Sequence, residues 1–167
     1  MRPQLIKFGG HQDFHKYQDC FRSLYCDTEK PIRDVMNRLV IFDDNPDLDD
    51  CAHVCYGGTK GYAYDPARWD ELRAERIGWI YTALTAPTKV HPDKDGCGRH
   101  KYLLVMPPDE GTEQLIEFYC VIVRVISKKA VAFITGYYID RTTMDVYSNE
   151  MPRIYPKSPP KKRRSKK

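Results

Sequence analysis

KYLLVM at residues 101–106, EFYCVIVRVI at 117–126 and VAFITGYYI at 131–139 are three apolar runs rich in β-branched and aromatic residues. That composition belongs in strands. The last two runs are separated only by SKKA (127–130), polar and short enough for a hairpin turn, so they are expected to pair antiparallel. Helical patterns come earlier. Within 11–26, Phe14, Tyr17, Phe21, Leu24 and Tyr25 recur at helical spacing, leaving Asp13, Lys16 and Asp19 outward. A longer helix is expected from Asp65, a good N-cap followed by Pro66 at the first helical position. It would run through Trp69, Leu72, Ile77, Ile80 and Leu84 and stop before Pro87. Two shorter strands are expected, one near 38–42 and one at CAHVCY (51–56), the latter ended by Gly57-Gly58. Helices first and a hairpin-rich sheet afterwards describe an α+β fold. N-terminal helices would pack on an antiparallel sheet of about four strands.

The 167 residues suit one domain of ordinary size with a tail. The formal charge of +4 hides an asymmetry, because residues 153–167 (RIYPKSPPKKRRSKK) hold eight Lys or Arg and no acid. Setting those eight aside leaves 19 basic against 23 acidic residues, a mildly acidic body. A proline-broken lysine run cannot pack, so 151–167 reads as a disordered basic tail behind a domain spanning 1–150. Such a tail suits a nucleic-acid arm or an import-like patch, or simply aids solubility. The most apolar stretch, 118–126, is interrupted by Arg124 and is far too short to span a bilayer. The opening MRPQLIKFGGHQ lacks the apolar core of a signal peptide. With no secretory start, the six cysteines read as reduced thiols of a cytoplasmic protein with no membrane partner.

Three places carry candidate chemistry. Arg76 falls near the centre of the apolar stripe of the 65–84 helix. A charge there must be half of an ion pair, or a guanidinium held on a rigid element to grip phosphate. In the last strand, alternation puts Val131, Phe133, Thr135, Tyr137 and Ile139 on one face. Thr135 and Tyr137 then offer two hydroxyls about 7 Å apart, suited to a phosphate or merely to a strand. His53, between Cys51 and Cys55, could act as a general acid or base, as a metal ligand, or be structural. His11 and His15 with Cys20 and Cys26 offer a second, weaker metal grouping. The usual markers of P-loop, Rossmann, zinc-protease and serine-hydrolase chemistry are absent.

The order HVCYGG, RAERIGWIYTALTAPTKV, RHKYLLVMPP, FYCVIVRVI and FITGYYID resembles a nuclease group, the Barnase–EndoU–Colicin–RelE (BECR) metal-independent RNases. The likeness is to its toxin-like phage and mobile-element branch, covers roughly 38–145, and extends to HQDFHKYQDCFRSLY as the preceding helix. Matched by position, the resemblance implies His53 as the acid or base, although Ala52 replaces the expected aromatic. Glu75, Arg76, Ile77 and Trp79 match the family's helix core, and Arg99 and Lys101 the basic start of the next strand. Thr135 and Tyr137 match a T-A-Y strand end with Gly136 in place of Ala. Arg76 and Lys101 would then stabilise charge, and Thr135 and Tyr137 would orient a phosphate. Arg99 and the tail residues Lys161, Lys162, Arg163 and Arg164 would hold RNA. The implied activity is endoribonucleolytic cleavage by the RNA's own 2′-hydroxyl, needing neither metal nor cofactor, with RNA and an antitoxin or immunity protein as partners. Alternatives are a nucleic-acid-binding module on the same scaffold without catalysis, and an inhibitor acting through protein contacts.

Overall fold

The structure, a computed structural model, describes residues 3–43, 50–57, 65–92, 96–108, 115–150 and 153–156. A 3₁₀ turn at His11–Asp13 leads into helix α1, Phe14–Tyr25. Phe14, Tyr17, Phe21 and Tyr25 form its buried stripe, while Leu24, expected inside, lies on the exposed side. Strand β1 is short, Leu39–Ile41, and helix α2 covers Asp50–Tyr56. CAHVCY is therefore helical and not a strand. Six of its seven helical residues are buried, all but His53, so a short apolar run carried no periodicity to separate the two.

The single helix expected from residue 65 is broken into pieces. Asp65 caps only a 3₁₀ turn, Pro66–Arg68, accepting from Ala67 N at 3.0 Å. A second aspartate restarts the chain: Asp70 accepts from Arg73 N at 3.1 Å and opens the one-turn helix α3, Glu71–Ala74. Residues 75–78 form a turn before helix α4, Trp79–Thr85. The backbone groups freed by this break are met by Tyr25, whose hydroxyl donates to Ile77 O at 2.5 Å and accepts from Tyr81 N at 3.3 Å. The break also turns Leu72 outward, at 51% exposure, so it is not part of an inner stripe.

Strands β2 (Lys89–Pro92), β3 (Arg99–Met106), β4 (Glu117–Ser127) and β5 (Ala130–Ile139) follow, and helix α5 (Arg141–Glu150) ends the fold. The sheet order is β1-β5-β4-β3-β2. The fold is α+β as expected, with five strands among the described residues where about four were expected, and β1 pairs parallel to β5 while the other pairs are antiparallel. Neither β2 nor α5 was foreseen. Ile154 and Tyr155, which composition assigns to the tail, pair with Val90 on β2. Residues 157–167, with the tail lysines and arginines 161–164, lie outside the described residues.

Each face of the sheet has its own core. Tyr102, Tyr119, Val121, Val123, Val131 and Phe133 meet α1, α2 and α4 in the larger one. Leu103, Phe118, Cys120 and Ile139 meet Met144 of α5 in the smaller one. Strand β5 serves both through an irregularity: Val123 is opposite Phe133 and Ile122 opposite Thr135, leaving Ile134 without a Cα partner. This bulge reverses the alternation. Val131 and Phe133 face the helices, whereas Thr135, Tyr137 and Ile139 face the α5 side, so the five do not share one face.

Candidate functional site

The bulge is also where β5 loses its outer neighbour. β1 pairs only with residues 130–132, and past them no other strand flanks that edge among the described residues. Helices α2 and α3 pack there instead. They bring His53 and Arg73 against Thr135 and Tyr137, and the four side chains line a pocket of about 190 Å³. Three of these were expected from the sequence. Arg73 was not.

Arg73 is the organising group. Its Nη2 donates to Thr135 Oγ1 at 2.8 Å and to His53 O at 3.4 Å, and its guanidinium lies 5.3 Å from the centre of the Tyr137 ring. No carboxylate pairs with it among the described residues, and its Nε, also buried, has no hydrogen-bond partner there. Gly57 makes room for it: at a φ of +67°, a conformation that favours glycine, a Cβ would come within 2.9 Å of Arg73 Nη1. The signal available in the sequence was RAER itself, two arginines three apart in a stretch whose Asp70 can serve as a second N-cap.

Tyr137 points its hydroxyl away from the helices to Tyr147 of α5, 3.1 Å away. Burial, then the neighbouring Cys120 and Tyr147, push its hydroxyl well above the usual phenol range, so it remains a neutral donor. Lys101 sits on the same sheet face, with its ammonium 3.9 Å from the centre of the Tyr147 ring. Lys101 is thus linked to the pocket through two tyrosines and does not line it.

Arg76 stands apart. Its guanidinium bonds Glu117 and Leu72 O (2.9 Å), lies 3.9 Å from Glu75, and covers the rings of Trp79 and Tyr138 at 5.1 and 5.5 Å. Of its two sequence readings, the buried ion pair is the one its contacts match. Glu75 also meets Lys7 at 3.3 Å, while Ile77 and Trp79 are wholly buried. A Cβ on Gly136 would come 2.6 Å from Tyr119 Oη, so the backbone packs too closely there for an alanine. Arg99 is exposed at the far end of β3.

All six cysteines are unbridged thiols, with Cys51 and Cys55 Sγ 3.9 Å apart on α2. Among the described residues no three His, Cys, Asp or Glu side chains are grouped to hold a metal ion, so His11, His15, Cys20 and Cys26 do not form one cluster. No helix among these residues is long and apolar enough to cross a membrane. Comparisons with family models, curated proteins and solved structures found no match to this chain.

Proposed function

We propose that this chain is a toxin-like endoribonuclease that cleaves RNA through attack of the 2′-hydroxyl on the adjacent phosphorus. One observation carries the reading: the Arg73 guanidinium, which no carboxylate pairs with among the described residues, converges with His53, Thr135 and Tyr137 on one small pocket. A cation with no counter-ion among the described residues, a hydroxyl donor and an imidazole are groups that transesterification of a phosphodiester can use.

In this scheme a phosphate enters beside Arg73. The guanidinium and Thr135 hydroxyl hold its non-bridging oxygens, and their donation strengthens as charge builds on the phosphorane. Tyr137, kept neutral, holds its ring against the guanidinium while its hydroxyl pairs with Tyr147, and it cannot serve as the base. His53 moves a proton, taking it from the 2′-hydroxyl or giving it to the departing 5′-oxygen. The products are a 2′,3′-cyclic phosphate and a 5′-hydroxyl, and substrate lacking the 2′-hydroxyl is not cut. Arg76, which the family resemblance places among the charge stabilisers, gives that role to Arg73. An antitoxin or immunity protein remains part of this proposal as the partner such an activity would need in its host.

The test is cleavage of end-labelled RNA by the purified chain in the presence of EDTA, with analysis of the new termini. Cyclic phosphate ends that form in EDTA, together with a loss on the order of 10²- to 10⁴-fold in His53→Ala, are expected. Strict dependence on a divalent cation, 3′-hydroxyl products or equal cutting of DNA would overturn the mechanism.

A further inference from the structure

Arg124 breaks the most apolar stretch of the chain, and nothing in the pocket uses it. The register explains where it goes. Arg124 is directly opposite Arg99 on β3, both side chains are exposed, and neither makes an ion pair or hydrogen bond among the described residues. Like charges placed opposite each other on neighbouring strands destabilise a sheet, and nothing among the described residues offsets this pair. Lys128 and Lys129, in the adjoining hairpin turn, add charge of the same sign at that end of the sheet.

The pair shares a face with the pocket. Ile122 is opposite both Lys101 and Thr135, and Arg124 lies two residues further along β4. Two residues of strand rise and one strand spacing put the Arg124 and Thr135 Cα atoms about 8 Å apart. Between and beside them lies apolar sheet surface, including exposed Ile41 on the same face. Helix α5 covers Leu103 and Cys120 toward the other end but leaves Arg99 and Arg124 uncovered.

We infer that Arg99 and Arg124 form a second phosphate subsite, which takes a flanking phosphodiester of a single-stranded nucleic acid whose scissile phosphate occupies the His53–Arg73–Thr135–Tyr137 pocket. The inference rests on the proposed function for the pocket, and it names the substrate class: a strand spanning several nucleotides, not a dinucleotide. A polyanion is the occupant that relieves the arginine repulsion, and continuity with the pocket favours a phosphodiester chain over an acidic protein.

The experiment measures binding of a fluorescent, uncleavable 2′-O-methyl decanucleotide to the full chain as a function of salt. Three proteins are compared: the parent, Arg99→Gln/Arg124→Gln, and Arg22→Gln/Lys30→Gln, which removes the same charge from an exposed region around the end of α1. The arginine-pair variant should bind on the order of tenfold more weakly at 0.1 M salt, with a salt slope shallower by about 1.4 for two lost single-strand phosphate contacts. It should melt no lower than the parent, bind a 2′-O-methyl dinucleotide equally well, and differ clearly from the control variant. Equal losses in both variants, an unchanged slope, or displacement of the oligonucleotide by polyglutamate at equal charge concentration would overturn the subsite. Because the probe cannot be cleaved, the outcome is separate from catalysis. A parent that cuts RNA with no role for the pair disproves the subsite alone; a parent that cuts nothing, with the pair still needed for binding, disproves the nuclease alone.

Discussion

Arg73 Nη2 donates to Thr135 Oγ1 at 2.8 Å, joining a one-turn helix to the strand edge across 62 residues of sequence. The bond fixes the guanidinium plane over Tyr137 and next to His53. Arg73→Met retains much of the stem and removes the charge, so cleavage should fall by about 10²- to 10³-fold while the melting temperature stays near the parent's. Arg73→Lys restores charge without the fork and should recover only part of the loss. Single-turnover rates beside thermal melts check both. Full recovery in the lysine variant would show that the fork geometry is unnecessary.

Arg76 should behave in the opposite way. Its partner Glu117 is mostly buried, at 15% side-chain exposure, and Arg76→Met takes the guanidinium away from that carboxylate. The fold should lose roughly 3–5 kcal/mol, measurable by urea titration, with cleavage per folded molecule nearly unchanged. Normal stability with lost cleavage would return Arg76 to the site.

A pH-dependent contribution to stability sits on the other side of the sheet. Asp34 Oδ2 accepts from Arg38 Nε at 2.7 Å and from Tyr102 Oη at 2.6 Å, and Arg38 Nη1 lies 3.2 Å from His100 Nδ1. A guanidinium only donates, so Nδ1 accepts and the neutral ring keeps its proton on Nε2. Burial, and then the Arg38 charge, hold the His100 imidazole below its ordinary range. The unfolded chain therefore binds this proton more readily. The contribution to stability is complete above the unfolded value of about 6.5 and is lost as pH falls through the lowered folded one. His100→Gln should melt with a weaker dependence on pH between 7 and 5, as calorimetry at several pH values would show. An unchanged dependence would remove His100 from the account.

Gly136 is a packing requirement. A Cβ there would lie 2.6 Å from Tyr119 Oη and 3.2 Å from Ile80 Cγ1, so Gly136→Ala should cost about 1–3 kcal/mol. The Tyr119 hydroxyl is buried with no hydrogen-bond partner among the described residues, so Tyr119→Phe should be close to neutral in stability and should relieve the alanine. A double variant as unstable as Gly136→Ala alone would show the clash is not with that hydroxyl.

What could be read beforehand follows from how each signal arises. The long β3, β4 and β5 strands and α1 announce themselves by residue type and spacing over eight or more positions. His53, Thr135 and Tyr137 could be singled out by chemistry, but their convergence depends on α2 and the end of β1, both set by tertiary contacts. Arg73 was missed because Asp70 restarts the helix there, and that second cap changes which arginine faces the strand. α5 was missed because RTTMDVYSNE buries little, and its role depends on an apolar sheet face that must form first.

The unpaired Ile134 has a consequence for how this gene can change. Below it, β5 points its odd-numbered side chains toward the helices; above it, the odd-numbered ones point away. Deleting that one codon would leave the hydropathy of the strand almost untouched and every pocket residue still encoded. Thr135 would then follow Phe133 directly in a regular ladder, still opposite Ile122, and Thr135 and Tyr137 would stay on the face they now hold. What the extra residue supplies is a local bend and twist of the strand beside the pocket, so a length variant here would be silent to composition and to facing alike while changing the angle at which Thr135 and Tyr137 meet Arg73 and His53.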